Sequence, residues 1–378
     1  MKKIGITGQA GFVGNHLYNT LSLDESVTLV PFERAFFSDQ KKLENFVASC
    51  DVIVHLAAMN RHDDANVIYN TNTALVDTLL QACKVKNVTP HILFSSSSQE
   101  TKDNLYGKSK KEGKEKFIQW AKSTGGKFTS LTIPNVFGPF GKPNYNSFVA
   151  TFCHKIARGE EPTIINDSDV NLIYINELVD VITDAISSKA ENTINIGKNV
   201  SEVAIAAPHT KKVSEILNLL KQYKRDYIEN GVFPSLEETF EKALFNTFRC
   251  YVPIDHYPVK YTKHTDPRGS FVEIARTQTS GQFSFSTTVP GITRGNHFHT
   301  RKAERFAVIS GKALIQLRKI GTDEVIDYYL DGNEPAYVDM PIWYTHNIKN
   351  IGEEELITLF WINEPYNPDD ADTYFVNV

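Results

Sequence analysis

The first half of the chain alternates short, largely apolar runs with segments of helical period. Ile4–Thr7, Thr28–Phe32, Asp51–Leu56 and Pro90–Ser95 have the length and apolar content of buried strands. Between them, Val13–Leu23, Gln40–Cys50 and Ile68–Cys83 place apolar side chains three and four apart. Strand and helix in regular succession need crossover connections, and crossovers put helices on the faces of a parallel sheet. An α/β, doubly wound parallel sheet of Rossmann type is therefore predicted for residues 1 to about 190, with two further amphipathic helices at 211–225 and 235–249.

A glycine-rich segment, Gly8-Gln9-Ala10-Gly11-Phe12-Val13-Gly14, stands where the first strand gives way to the first helix. Glycines there let the backbone approach a pyrophosphate, and the helix N-terminus offers it unpaired N–H groups. The spacing is G-x-x-G-x-x-G, not G-x-G-x-x-G. Gly8, Gly11, Phe12, Val13 and Gly14 are the candidate cofactor residues of this turn. At the distance where an acidic side chain would take the ribose hydroxyls of NAD, or an arginine the 2′-phosphate of NADP, the chain carries Glu33 and Arg34 side by side. The residues alone leave the two cofactors open.

Tyr106-Gly107-Lys108-Ser109-Lys110 puts a phenol and an ammonium four residues apart, on one face if the segment is helical. A nearby ammonium favours the phenolate, so the tyrosine is predicted to exchange a proton more readily than an isolated phenol. The serine run Ser95–Ser98 precedes the pair at the end of a predicted parallel strand, where such sheets place their ligands.

From about residue 258 the pattern changes. Gln282–Val289, Arg305–Ile309, Ala313–Arg318, Glu324–Tyr329 and Glu355–Trp361 are short strand-like runs separated by Gly, Pro, Asn and Asp, as in an all-β sandwich or barrel. Pro253 and Pro258 interrupt the helical pattern, so two domains are expected, 1–250 and 251–378. His297-x-His299 on a strand directs both imidazoles to one face, and Glu304 can return to that face on the next strand. His346 adds a third imidazole. Three His and a carboxylate form a plausible ligand set for Zn²⁺, Fe²⁺, Mn²⁺ or Ni²⁺.

The 378 residues have a formal net charge of -5 and lack long basic runs, which disfavours nucleic-acid binding. The four cysteines form no C-x-x-C pair, and a chain this poor in cysteine fits a reducing compartment. No apolar run is long enough for membrane insertion, and a soluble cytoplasmic protein is expected.

Residues 1–245 resemble the extended short-chain dehydrogenase/reductase (SDR) superfamily. The resemblance rests on the glycine turn, His55-Leu56-Ala57-Ala58, the serine run, Tyr106/Lys110 and Pro134-Asn135-Val136-Phe137-Gly138-Pro139. It implies that Leu56, Ala57 and Ala58 line the cofactor, that Asn135 lies against a nucleotide-sugar, and that Ser97 (or Ser96) matches the catalytic serine beside Tyr106 and Lys110. The second half resembles the cupin (jelly-roll) superfamily through Gly291, His297, His299, Glu304 and Gly311, with a second motif around His346 that has Trp343 where the family usually has Gly. Asp266-Pro267-Arg268-Gly269-Ser270-Phe271 and Arg294-Gly295-Asn296-His297 are similar to stretches of dTDP-4-dehydrorhamnose 3,5-epimerases. They nominate Arg268 and Arg294 for a diphosphate, and Tyr344, Tyr328 or His299 for acid–base work, with Tyr344 taken as the catalytic candidate.

Across nearly its whole length the chain resembles bacterial capsular-polysaccharide enzymes in which a reductase is fused to a cupin. This rests on Leu56–Arg61, on Lys142–Ser147 with its Asn144 and Asn146, on Ala150–Cys153, on Gly295–His299 and on Asp372–Phe375. It implies a homodimer, zinc in the cupin, and NADPH held through Arg34. The implied partner is a UDP-linked 4-keto-6-deoxy amino sugar. The implied chemistry is C3 epimerisation of UDP-2-acetamido-2,6-dideoxy-β-L-arabino-hexos-4-ulose, then C4 reduction to the β-L-talose product, in UDP-N-acetyl-L-fucosamine synthesis. Epimerisation must come first, because reduction removes the ketone that acidifies C3. The alternative is a monofunctional 4-ketosugar reductase whose cupin only dimerises it.

Overall fold

The structure, a computed structural model, describes all residues except 263, 267, 268, 272, 273, 278–280, 365 and 366, and describes the backbone alone at 264–266, 269–271, 276, 277 and 282. It divides into two compact units, Met1–Phe148 with Asp167–Val213, and Val149–Asn166 with Ser214–Val378.

The first unit is built on a seven-stranded sheet of order β2-β1-β3-β4-β5-β9-β8. Its strands are β1 (Lys2–Thr7), β2 (Val27–Val30), β3 (Val52–His55), β4 (His91–Ser97), β5 (Phe128–Ile133), β8 (Thr193–Gly197) and β9 (Val200–Ala204). All neighbours are parallel except β8 and β9. The chain leaves β1 for β2 on one side and returns to β3 on the other, which opens a crevice at the carboxyl ends of β1 and β3. A three-stranded sheet of order β10-β7-β6 completes the unit, from β6 (Asn135–Phe137), β7 (Asp169–Tyr174) and β10 (His209–Lys212).

The predicted strand Thr28–Phe32 ends at Val30, since Pro31 has no N–H for the ladder. The strand predicted over Pro90–Ser95 instead continues to Ser97. The helices of this unit are α1 (Phe12–Leu21), α2 (Gln40–Ala48), α3 (Ala65–Lys86), α4 (Leu105–Thr124) and α6 (Ile175–Ile186), whereas α5 (Phe148–Ala157) belongs but for its first residue to the second unit. Leu43, Phe46, Val47, Leu79, Phe94, Phe117 and Phe128 form a core between helices and sheet. The Asn104 side chain caps α4 by accepting from Gly107 N at 2.8 Å, so Tyr106 falls in the first turn with Lys110 one turn on.

The second unit holds two five-stranded antiparallel sheets. One contains Val259–Lys260, Ala336–Met340, Glu304–Ser310, Leu356–Ile362 and Gln282–Thr288 in that spatial order. The other contains Val325–Asp331, Lys312–Lys319, Tyr344–Asn350, Thr293–Phe298 and Tyr374–Phe375. Val308, Ala313, Ile315, Leu317, Val338, Met340, Ile348 and Leu356 form its core. The all-β fold expected from the sequence is present.

The helices expected at 211–225 and 235–249 are α7 (Val213–Tyr223) and α8 (Thr239–Arg249). They cluster with the β-sheets, so the compact division falls at Val213/Ser214 while the predicted boundary was at 250. The reason is aromatic packing. Tyr223, Tyr227, Phe245 and Phe233 meet edge to face at 5.0–5.9 Å, and Phe233 lies 4.4 Å from the Trp361 ring on Leu356–Ile362.

Candidate functional sites

The glycine turn is tight in a way only glycine allows. Gly8 has φ +77°, and a Cβ there would sit 2.8 Å from the Ala57 nitrogen. A Cβ on Gly14 would sit 2.2 Å from the Gly8 carbonyl oxygen, so α1 packs directly onto the turn. Gly11 caps α1 without a side-chain bond, and the first turn of α1 has no acidic side chain. Phe12 and Val13 open that turn. The set fits a dinucleotide pyrophosphate: a cradle free of side chains, faced by helix N–H groups. Glu33 and Arg34 are both exposed after β2.

Leu56, Ala57 and Ala58 follow β3 beside this turn. Their loop is held by Asn72 of α3, which accepts from Met59 N at 2.7 Å and donates to Met59 O at 2.9 Å. Asn72 also donates to Ser109 Oγ of α4 at 3.0 Å, and Ser109 donates to Tyr106 O at 2.7 Å. Asn72 thus ties the cofactor loop to the Tyr106 helix. The sequence reading missed it; the available signal was an amide among the inward positions of an amphipathic helix. His55, buried beneath the loop, bonds Thr7 Oγ1 through Nδ1 at 2.7 Å and stacks on Phe94. Burial, helped by the Lys110 charge, depresses its imidazole to about 3.

Lys110 is buried and donates to Ser95 O at 2.7 Å and Ser95 Oγ at 3.2 Å. Burial lowers its ammonium to about 7, against the pull of Glu100. Its Nζ is 5.8 Å from the Tyr106 ring centroid. The Ser97 side chain lies beside the Tyr106 phenol and opposes the rise that burial gives it, whereas Ser96 Oγ is buried without a hydrogen-bond partner. The predicted lowering of the Tyr106 phenol by Lys110 is corrected here. Burial raises the Tyr106 phenol, with Ser97 opposing, and the Lys110 ammonium is engaged with Ser95.

Of the residues nominated for a nucleotide-sugar, Asn135 is exposed and donates to Asn171 O at 3.3 Å across β6 and β7. Asn144, with φ 55°, and Asn146 lie on an exposed loop. Arg61, which no motif singled out for a role, donates to the Asn144 and Tyr145 carbonyls at 3.1 and 2.7 Å and so joins this loop to the one after β3. Arg268 lies outside the described residues. Arg294 is exposed and donates to Thr287 O at 3.0 Å.

In the second unit His297, His299, Glu304 and His346 converge, each offering a donor atom within 4.8 Å of the others. Gly295 and Asn296 carry positive φ, and the bulge they make shifts the register so that His297 stands opposite His346. Their ring centroids are 4.6 Å apart. Glu304 Oε2 lies 3.0 Å from His299 Nε2 and 3.3 Å from His346 Nε2. These three buried atoms sit at ion-pair distance yet none has a directed hydrogen bond. Undirected buried donors of this type fit a divalent cation.

Burial, with His346 and His299 beside it, depresses His297 to about 4, so it is neutral at pH 7 as a ligand must be. Burial works against a charge on His299 and on Glu304, but their mutual attraction prevails, raising the imidazole and lowering the carboxyl. Trp343 has φ 61°, the conformation for which a glycine would be the unstrained choice. Its ring stacks on Phe298 at 5.3 Å, and the Trp343 backbone N–H donates to His299 O at 2.8 Å. Packing therefore holds a turn that glycine would make freely. Tyr344 and Tyr328 are both raised to about 12, chiefly by burial. Tyr328 donates to Ile254 O at 3.3 Å.

A parallel-sheet nucleotide fold and a His/Glu cluster between antiparallel sheets define the class: a Rossmann-type dinucleotide fold joined to a β domain that carries a cluster of potential metal ligands. Residues 4–197 match the NAD dependent epimerase/dehydratase family, and residues 264–374 match the polysaccharide biosynthesis C-terminal domain. The chain belongs to the NAD dependent epimerase/dehydratase family, in the group whose members carry this C-terminal domain. It is 32% identical over 378 residues to a UDP-2-acetamido-2,6-beta-L-arabino-hexul-4-ose reductase of Pseudomonas aeruginosa, covering 100% of this chain and 99% of the relative. It is similar to the crystal structure of the capsular polysaccharide assembling protein CapF from Staphylococcus aureus, at 36% identity and a TM-score of 0.61, with both chains covered completely. The spore coat polysaccharide biosynthesis protein SpsL of Bacillus subtilis is 28% identical over 123 residues, 30% of this chain and 82% of its own length.

Proposed function

We propose that the chain performs two steps on one nucleotide sugar: C3 epimerisation of UDP-2-acetamido-2,6-dideoxy-β-L-arabino-hexos-4-ulose in the second unit, then NADPH-dependent reduction of its C4 ketone in the first. The observation that carries this reading is the end-to-end similarity to a reductase named for that 4-ketosugar, on a chain that keeps both a Ser97–Tyr106–Lys110 group and a complete His/Glu cluster.

In the first unit, reduced nicotinamide held at Gly8–Gly14 and Leu56–Ala58 would supply the hydride. Arg34, exposed after β2, suits the 2′-phosphate of NADPH. Ser97 and Tyr106 hydrogen-bond the C4 oxygen, and Tyr106 passes its proton there as charge develops. A phenol kept protonated by burial is ready to donate. Lys110 holds the nicotinamide ribose and offsets the phenolate charge left on Tyr106. Asn135, Asn144 and Asn146 bind the nucleotide-sugar, and Arg268 and Arg294 its diphosphate at the second site.

In the second unit His297, His299, Glu304 and His346 would hold Zn²⁺, which as a Lewis acid would make the C–H beside a ketone acidic. A proton leaves C3 to an acid–base residue, for which Tyr344 is the candidate with Tyr328 and His299 the alternatives, and one returns on the opposite face of the enolate. The protein acts as a cytoplasmic homodimer in capsular or related polysaccharide synthesis. Proton NMR of product formed from the 4-ketosugar in D₂O tests the reading. Deuterium should enter C3 without NADPH, and the reduced talose configuration should require NADPH. Reduction without any C3 exchange would leave a simple reductase.

A further inference from the structure

The cluster in the second unit is shaped by a residue far from it in sequence. Asp372 lies between the turn Pro368–Asp370 and the strand Tyr374–Phe375, buried, with φ 41°. Its carboxylate accepts four hydrogen bonds from the connection between His299 and Glu304: from Thr300 N at 3.1 Å, Thr300 Oγ1 at 2.6 Å, Arg301 N at 3.0 Å and Lys302 N at 3.2 Å. Its backbone carbonyl accepts from His299 Nδ1 at 2.5 Å. That bond requires the proton on Nδ1, and so presents the bare Nε2 to Glu304 and His346.

The two flanking residues strengthen the attachment. Lys302 Nζ donates to Ala371 O at 2.7 Å, and Arg301 donates to the Asp370 carboxylate at 2.7 Å. A left-handed aspartate is costly and persists where its surroundings over-determine it. Here both its side chain and its carbonyl are used on the same short connection.

We propose that Asp372 is a positioning residue of the cation site, fixing the tautomer of His299 and the reach of the turn that carries Glu304. This rests on the reading that the cluster binds a divalent cation. Zn²⁺ affinity, measured on the full chain by chelator competition, tests it with two variants. Asp372→Gly tolerates the positive φ but removes the carboxylate, and Asp372→Asn keeps shape and one acceptor oxygen. The glycine variant should bind Zn²⁺ about 10–100-fold more weakly, with asparagine in between. Nicotinamide dinucleotide binding should not change in either.

Wild-type affinity in Asp372→Gly would overturn the proposal. A wild-type chain that binds no Zn²⁺ would instead sink the cation reading. The role of Asp372 is then decided, as it is if the glycine variant does not fold, by ¹⁵N-histidine NMR of metal-free wild type. His299 is expected as the Nδ1–H tautomer, and an Nε2–H tautomer would refute the assignment.

Discussion

Replacing Asp339 by alanine should cripple the second unit without touching its His/Glu cluster. Along Glu304–Ser310 the side chains alternate, so Glu304 faces the cluster and Arg305 faces the other way. Arg305 is buried and forms a two-point pair with Asp339, Nε to Oδ1 at 2.8 Å and Nη2 to Oδ2 at 3.0 Å. The guanidinium also lies 3.7 Å from the Tyr337 ring centroid and donates to Gly231 O at 3.1 Å. The hydroxyl of Tyr227 donates to the same carboxylate, and that of Tyr257 reaches it at 3.4 Å.

Removing Asp339 strands a buried guanidinium and two phenols. Breaking such a pair costs about 3–5 kcal/mol. For a unit of about 150–250 residues, where 1 kcal/mol moves Tm by about 2–4 °C, this is a fall of roughly 6–20 °C. Trp343 and Trp361 are in this unit and Trp120 is in the other, so fluorescence in a Trp120→Phe background follows the relevant transition. The double variant Arg305→Met/Asp339→Leu should recover most of the loss, because apolar replacement of a whole buried pair is often neutral. A loss below about 0.5 kcal/mol for Asp339→Ala, the size of an ordinary surface change, would refute the reasoning.

Four other outcomes are expected. Tyr106→Phe should abolish NADPH oxidation with the 4-ketosugar yet keep solvent exchange at C3, and loss of both would contradict separable sites. His297→Ala should show the reverse deficit, read by the same two assays. His55 is held neutral to about pH 3 when folded against about 6.5 when unfolded, so below pH 6.5 the unfolded chain binds the extra proton. Stability of the first unit should then fall as pH drops from 6.5 towards 3, by up to about 1.4 kcal/mol per pH unit, and His55→Gln should flatten that slope in denaturant titrations. Trp343→Gly relieves about 1–3 kcal/mol of backbone strain but forfeits a buried ring worth about 3–5 kcal/mol, so it should destabilise; a raised Tm would reverse that ranking.

Local pattern alone carried the glycine turn, the Tyr106/Lys110 spacing on one helical face and the His-x-His pair. The last two depend on a period of the backbone that tertiary packing does not alter, 3.6 residues in a helix and 2 in a strand, and the first on the backbone freedom of glycine. The strand ends were less legible: the pattern ran to Phe32, but β2 stops at Val30 because Pro31 lacks a donor. Tertiary structure decided the rest. Only the fold brings Asn72 of α3 onto the loop after β3, or Asp372 onto His299 73 positions away. It also set the protonation of the pair the sequence had singled out. Lys110 is turned to Ser95 and burial lifts the Tyr106 phenol, because desolvation depends on every atom packed around a group and not on its spacing from one neighbour. The same holds for α7 and α8, legible as helices from their period but assigned to the β unit by an aromatic cluster that reaches Trp361 through Phe233 and that no local window contains.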